Sequence, residues 1–191
     1  MRLTPIEYPS TLMLRIAYWM TKRAYGRVIT PMKVVYARMP KVLPMSRAMA
    51  KFAHSGLRLD QSLVSLICTH VASINGCGFC VDIGEAHAVF ARVPVDKMRA
   101  LPNYAASTHY SERERAALAY VEEITKTKNA TDNTFAALRT HFSDEEIVEI
   151  TWLNAMENYY NLINRPLGIE SDGLCILAEK KAEGRGQGNR T

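Results

Sequence analysis

Apolar positions recur at helical spacing along almost the whole chain. Between Asp60 and residue 74, Leu63, Leu66, Ile67, Val71 and Ile74 share one face, and Asp60 is placed to cap the segment. From residue 77 to about 92, Phe79, Ile83, Ala86 and Phe90 recur at intervals of 4, 3 and 4. Ser111-x-x-Glu114 and Ser143-x-x-Glu146 are capping-box signatures, and they predict helices over 112–127 and 144–164. A shorter helix is expected near 131–141. Pro94 and Pro102 bracket a short segment, and Pro31, Pro40 and Pro44 divide the N-terminal part into short pieces. The stretch "TLMLRIAYWMTKRAYGRV" reads as an amphipathic helix. Strand alternation and βα units are missing from the pattern, so the predicted fold class is an all-α helical bundle.

The chain has 191 residues, 48% of them hydrophobic and 23% charged, enough for one domain with its own core. No apolar run approaches the ~18–20 residues of a membrane span, and nothing reads as a secretory signal. A cytoplasmic protein is expected. The polar, Gly-rich tail 179–191 is expected to be disordered.

Charge divides the chain unevenly. Residues 1–58 hold 11 Lys or Arg against Glu7 alone, whereas the remainder holds 13 basic and 18 acidic residues. A basic extension over residues 1–28 is therefore expected, helical in part. It suits a contact with a partner subunit, with the chain's own acidic remainder or with a membrane surface. Basic and aromatic residues are not interleaved as in nucleic-acid modules, which argues against nucleic acid as a partner.

The chemistry concentrates in "SINGCGFCVDIGEAHA", residues 73–88. Four cysteines in so long a chain do not make a disulfide scaffold. In a reducing compartment a Cys-x-x-Cys points to redox chemistry or metal. Asn75 is suited to N-cap the second helix, which places Cys77 in its first turn and Cys80 at i+3 on the same face. There the unpaired amides and the helix dipole favour a thiolate. A reversible dithiol–disulfide couple fits this placement; two inert packing residues remain the alternative. Zinc is the third reading, since His70, Cys77, Cys80 and His87 are spaced 7, 3 and 7. However, His87 lies ~10 Å beyond Cys80 along a helix, and zinc ligands sit only ~2.0–2.3 Å from the ion. Neither a metal nor an organic cofactor is expected.

"INGCGFCVDIG" after "LVSLICTHVAS", with the later "FSDEEIVEITWLNAMENYYNLINRPLGI", resembles the carboxymuconolactone decarboxylase and alkylhydroperoxidase D family over about residues 30–170. The resemblance implies an alkylhydroperoxidase D-like helical domain over 29–178 and a homo-oligomer (trimer, hexamer or dimer). It further implies a redox pair acting on a small peroxide or a dithiol, with a possible reductant protein as donor. Cys80 would attack and Cys77 would close the disulfide. The redox branch also carries a glutamate twelve residues before the first cysteine and a histidine four after the second, together a proton relay. Those positions hold Ser65 and Gly84 here.

His87 is one turn beyond Gly84 on the side of Cys80. Gly84 would leave an opening in which a bound water bridges to His87; the alternative, favoured because the direct gap along the axis exceeds hydrogen-bond reach, is a histidine at the helix surface or a subunit contact. His70 is expected in the core. Cys68, at i+3 from Ser65, is either a third thiol beside the site or a packing residue. Asp82 and Glu85 are read as solvated or bridging charges. Asn154, Glu157 and Asn161 are candidates to line a pocket or a subunit interface, and Trp152, Tyr159 and Tyr160 are read as core or oligomer contacts. Three functions follow: a thiol–disulfide oxidoreductase of peroxidase type, a lyase acting on a small carboxylated lactone or acid, and a non-catalytic redox-sensing oligomer.

Overall fold

The computed structural model describes residues 1–187, with side chains through residue 182. The helices are α1 (Leu12–Tyr25), α2 (Leu43–Ser55), α3 (Gln61–Ile74), α4 (Gly78–Phe90), α5 (Val95–Arg99), α6 (Glu112–Thr127), α7 (Asp132–Arg139), α8 (Asp144–Asn164) and α9 (Leu174–Gln187). No strand occurs among the described residues. The helices at 112–127 and 144–164 begin at Ser111 and Ser143, and both capping boxes are formed. Asp60 caps α3 by accepting from the Leu63 amide at 2.9 Å.

The bundle is organised around α3, which is apolar on nearly every side and therefore buried all round. One flank packs on α4 and the other on α6 and α8. Leu63, Ile67 and Val71 meet Val121, Ile150 and Leu153 in the main core, while Leu66 meets Ala88, Leu101 and Leu118. Each large apolar side chain so enclosed contributes roughly 1.5–3 kcal/mol.

The α3–α4 pair is closely spaced at Gly84. A Cβ there would stand 2.4 Å from Thr69 Oγ1 and 3.3 Å from Thr69 Cβ. Glycine permits this approach, and Thr69 fills the space a larger residue would need. The Thr69 hydroxyl is buried and has no hydrogen-bond partner.

On α8 the polar residues Asn154, Glu157, Asn161 and Asn164 are buried, so they line neither a pocket nor an exposed interface. Spaced three and four apart, they form an inward stripe, because each finds a partner there. Asn154 Nδ2 donates to Thr125 Oγ1 at 2.5 Å. Asn161 Nδ2 donates to Glu157 Oε1 at 2.6 Å. Burial pushes the Glu157 carboxyl up to about 7, against the opposing pull of the Asn161 hydrogen bond.

Asp82, read from the sequence as a solvated or bridging charge, is buried and caps a helix other than its own. Its Oδ2 accepts from the amides of Asp172 and Leu174 at 2.9 and 3.0 Å, and its Oδ1 from Cys175 N at 2.9 Å. One carboxylate thus satisfies the amides that open α9 and suits the positive end of that helix. Asp172 in turn accepts from Thr30 N and Thr30 Oγ1 at 2.6 and 2.7 Å. Glu85 is partly buried beside Asp82, Cys175 and Glu179, and burial is the main cause of its raised carboxyl value. Docked in this way, α9 continues through Gln187, so residues 179–187 of the expected disordered tail are helical. Residues 188–191 lie outside the described residues.

The N-terminal segment is fastened to the same region. Arg2 N donates to Leu167 O and Ile6 N to Lys33 O. α1 buries Leu14 and Tyr18 against its own chain and exposes Leu12, Ile16 and Trp19. A π-helical turn, Met32–Tyr36, brings Val34 into the small core around the cysteines. No helix among the described residues is long and apolar enough to cross a membrane.

Two consequences are measurable. Gly84→Ala forces Thr69 to move, and a β-branched side chain has few alternative rotamers; a loss of about 1–3 kcal/mol is expected. Adding Thr69→Ala should recover much of that loss in denaturant unfolding. A neutral Gly84→Ala, or no recovery in the pair, would show that this contact does not set the helix spacing. For Glu157, the folded state favours the protonated carboxyl. Its stabilising contribution is fully present below the ordinary value of 4.5 and is lost as pH rises through about 7. The isosteric Glu157→Gln should therefore gain stability over the parent between about pH 5 and 8, by roughly 3 kcal/mol. Parallel stability curves for the two proteins would contradict the burial of an ionisable group there.

Candidate functional site

The turn joining α3 to α4 builds the site. Asn75 is not the N-cap of α4; it ends α3, and its amide is committed elsewhere. Asn75 Nδ2 donates to Asn158 Oδ1 at 3.0 Å and to Asn161 Oδ1 at 2.8 Å, tying the turn to α8. Gly76 follows with a φ of +64°, a conformation that glycine adopts without strain. Cys77 then occupies the N-cap in an extended conformation, with no side-chain cap bond, and Cys80 becomes the third helical residue. The cap lies two residues later than the sequence predicts, so Cys77, expected in the first turn, is the cap itself, and Cys80, expected one turn further on, takes the first-turn place. It stands in the first turn, where amides lack intrahelical partners and the helix end is positive.

Cys77 and Cys80 form a disulfide, with Cα atoms 5.2 Å apart. Both are buried, Cys77 at 0% and Cys80 at 4% exposure, among Val34, Ala72, Phe79, Ile169 and Leu174. Asn164, at the end of α8, donates from Nδ2 to Cys80 Sγ at 3.4 Å. The exposed Arg165 follows, and its guanidinium carbon lies 3.7 Å from where a Cβ on Gly76 would stand. A cation therefore sits over the turn that carries Cys77.

The other residues singled out in the sequence are placed elsewhere. Gly84 leaves no opening, because Thr69 fills that space; the water bridge from Cys80 to His87 has no room. His87 Nε2 instead pairs with Tyr25 OH at 3.0 Å, and its ring stands edge-on to His54 at 4.6 Å. Burial, with a smaller effect from His54, pushes the His87 imidazole down to about 3. It is a neutral ring away from the sulfurs. Ser65 Oγ donates to Gln61 O at 2.8 Å and faces the same side as His87. Together with Tyr25, His54, Gln61 and Phe90 these two line a cleft of about 350 Å³, and neither paired cysteine borders it.

Cys68 packs with the main core and not with the pair. Burial first, and the nearby Glu157 second, raise its thiol well above the ordinary value. His70 is buried, edge-on to Tyr104 at 5.0 Å, with Nε2 3.5 Å from Glu122 Oε2. Burial lowers its imidazole, opposed by Glu122. His70, His87 and the cysteine pair are therefore not brought together. Among the described residues no group of three or more His, Cys, Asp or Glu is arranged to hold a metal ion. Trp152 packs edge-on to Phe52 at 5.1 Å, and Tyr160 OH donates to Ser46 O at 3.3 Å.

Sequence reasoning missed the roles of Asn164, Thr69 and the carboxamides that hold Asn75. A signal was present for the first: Asn154, Glu157, Asn161 and Asn164 recur at intervals of three and four along one face of the helix. Read as one inward stripe, they would have pointed at a partner at each end.

Comparison with known proteins agrees with this architecture. Residues 40–123 match the Carboxymuconolactone decarboxylase family. The chain is 30% identical to the uncharacterized protein YnjA of Escherichia coli (strain K12) over 176 residues, 90% of this chain and 94% of that one. A crystal structure from Agrobacterium tumefaciens, a protein of unknown function named as a putative antioxidant defence protein AhpD, superposes with a TM-score of 0.67. It is 31% identical and covers 72% of this chain and 96% of its own. The debrominase Bmp8 shares the fold at 19% identity and a TM-score of 0.79, over 94% and 96% of the two chains. The chain belongs to the carboxymuconolactone decarboxylase family, with an alkylhydroperoxidase D-like all-α fold and a Cys-x-x-Cys pair at the start of its fourth helix.

Proposed function

We propose that this protein is a thiol–disulfide oxidoreductase of peroxidase type, in which Cys77 and Cys80 cycle between dithiol and disulfide. The family as a whole supports a peroxidase-related or decarboxylase-like function. The observation that carries the dithiol reading is the bonded pair itself, with Cys80 in the first turn of α4. In the reduced protein the Cys80 thiolate attacks the terminal oxygen of a peroxide. The O–O bond breaks, the leaving alkoxide takes a proton, and Cys80 becomes a sulfenic acid. Cys77 then attacks that sulfur and expels water, which regenerates the disulfide. A dithiol, small or protein-borne, restores the pair by exchange through a mixed disulfide. No metal or organic cofactor takes part in these steps. The apolar surface at Leu12, Ile16 and Trp19 of α1, and at Val148 and Leu162 of α8, supports a homo-oligomer as the working form. Cysteines used this way suit a reducing, cytoplasmic setting.

A second reading, a lyase acting on a small carboxylated lactone or acid, is favoured by one feature. The cleft with Ser65, His54 and a neutral His87 lies apart from the sulfurs.

Peroxide-dependent oxidation of a dithiol by the purified protein tests the first reading. Cys80→Ser is expected to abolish turnover, and Cys77→Ser to halt it after one sulfenic acid per site, detectable by trapping. Turnover unchanged in Cys80→Ser would refute the dithiol cycle. An activity on lactones or acids that survives alkylation of both thiols would establish the lyase instead.

A further inference from the structure

The relay found in relatives of the redox branch has no counterpart here. Ser65 faces a separate cleft, Thr69 occupies the space beside Gly84, and His87 is held by Tyr25. A buried thiol with no such help is a poor nucleophile, since desolvation disfavours the thiolate. Cys80 packs among apolar side chains, and among the described residues the side chain that hydrogen-bonds its sulfur is the Asn164 carboxamide. Asn164 is itself buried, at 4% exposure, and the chain end of α8 is anchored where Ile169 N donates to Asn164 O at 3.1 Å.

We infer that Asn164 is a catalytic residue, whose side-chain N–H donates to Cys80 Sγ and, together with the free amides opening α4, holds the reduced sulfur as a thiolate. This rests on the dithiol reading above. It changes how the site works: the nucleophile is stabilised by fixed donors rather than generated by a general base. A carboxamide has no proton to take up at ordinary pH, so the proton leaving Cys80 passes to solvent and not to a protein relay.

Most ionisable groups on elements packed against α4 are engaged elsewhere, Lys97 and Asp96 of α5 with Glu114 and Arg99 among them; the exception beside the turn is Arg165. On α4, Asp82 is saturated by the amides of α9, and Glu85 lies with Cys175 and Glu179. From α3, His70 faces Tyr104 and Glu122, and Cys68 faces Glu157. From α8, Glu157 is bonded to Asn161, and Arg165 lies over Gly76 at the surface. Before α9, Asp172 is held by Thr30 and Arg27. From α1, Tyr25 pairs with His87. Of the side chains on these elements, Asn164 is the one that donates to Cys80 Sγ, and the Arg165 guanidinium over Gly76 adds a positive charge beside the same turn.

The test reads the thiolate directly. In the full chain with Cys68, Cys77 and Cys175 changed to Ser, the ultraviolet absorbance of the Cys80 thiolate is followed against pH. Asn164→Ala is expected to raise the midpoint by about one unit, with about a tenfold loss in the rate of attack on peroxide at neutral pH. Asn164→Asp keeps the shape but replaces the donor with a carboxylate, and should raise the midpoint at least as far. A midpoint unmoved in either folded variant overturns the inference. A purely structural role would lower the unfolding temperature and leave the midpoint in place. A third measurement needs no substitution at Asn164: in labelled protein, its side-chain amide resonances should titrate with the thiolate, and resonances that ignore that titration count against it. Peroxide turnover with an Asn164-independent midpoint sinks this inference alone. An Asn164-dependent midpoint without any peroxide or dithiol turnover sinks the proposed function and leaves the thiolate contact standing.

Discussion

The position of the dithiol depends on the hydrogen bonds from the Asn75 carboxamide to Asn158 and Asn161. These two bonds fasten the α3–α4 turn to the inner face of α8. They decide that α4 starts at Gly78 rather than sooner, and so that Cys77 caps it and Cys80 falls in its first turn. The Asn161 amide is oriented in turn by Glu157. Because both the turn and Asn164 are referred to one helix, the sulfurs and the donor that meets them keep a common frame. Fixed donors near a reacting atom need no reorganisation when charge develops.

A second constraint closes the region from the other side. Asp82 faces away from the cysteines and collects three amides from the approach to α9, with Asp172 extending the contact to Thr30 and Arg27. Leu174 and Ile169 are thereby set against the disulfide. The apolar wall this makes has two opposed effects. It shields the sulfurs from water, and it raises the cost of ionising them, which leaves the α4 amides and Asn164 to offset that cost. The site therefore combines a dry setting with a small number of directed donors.

Gly84 and Thr69 show how the same fold can be refitted. At the position where the resemblance implies a histidine, this chain has Gly84, and Thr69 of the neighbouring helix fills the space beside it. Ser65 and His87 then belong to a different cleft, with Tyr25 and His54. The fold itself leaves the reaction open, since the debrominase Bmp8 shares it at low identity. The reading as a dithiol enzyme rests on the sulfurs, not on the bundle.

The sequence by itself determined the all-α class, the helices at 112–127 and 144–164 with their capping boxes, the Asp60 cap, and the cysteine pair at a helix start. All of these are local: periodicity and caps act within a few residues, so a single chain displays them. Tertiary structure decided the rest. Asn75 reads as an N-cap until its amide is seen to be taken by α8, and Asp82 reads as a surface charge until the amides of α9 arrive at it. Gly84 reads as a space until Thr69 fills it, and Asn154, Glu157 and Asn161 read as the lining of a pocket or subunit interface until each meets its buried partner. A polar side chain states that it needs a hydrogen bond, and only the packing of distant segments says which group supplies it.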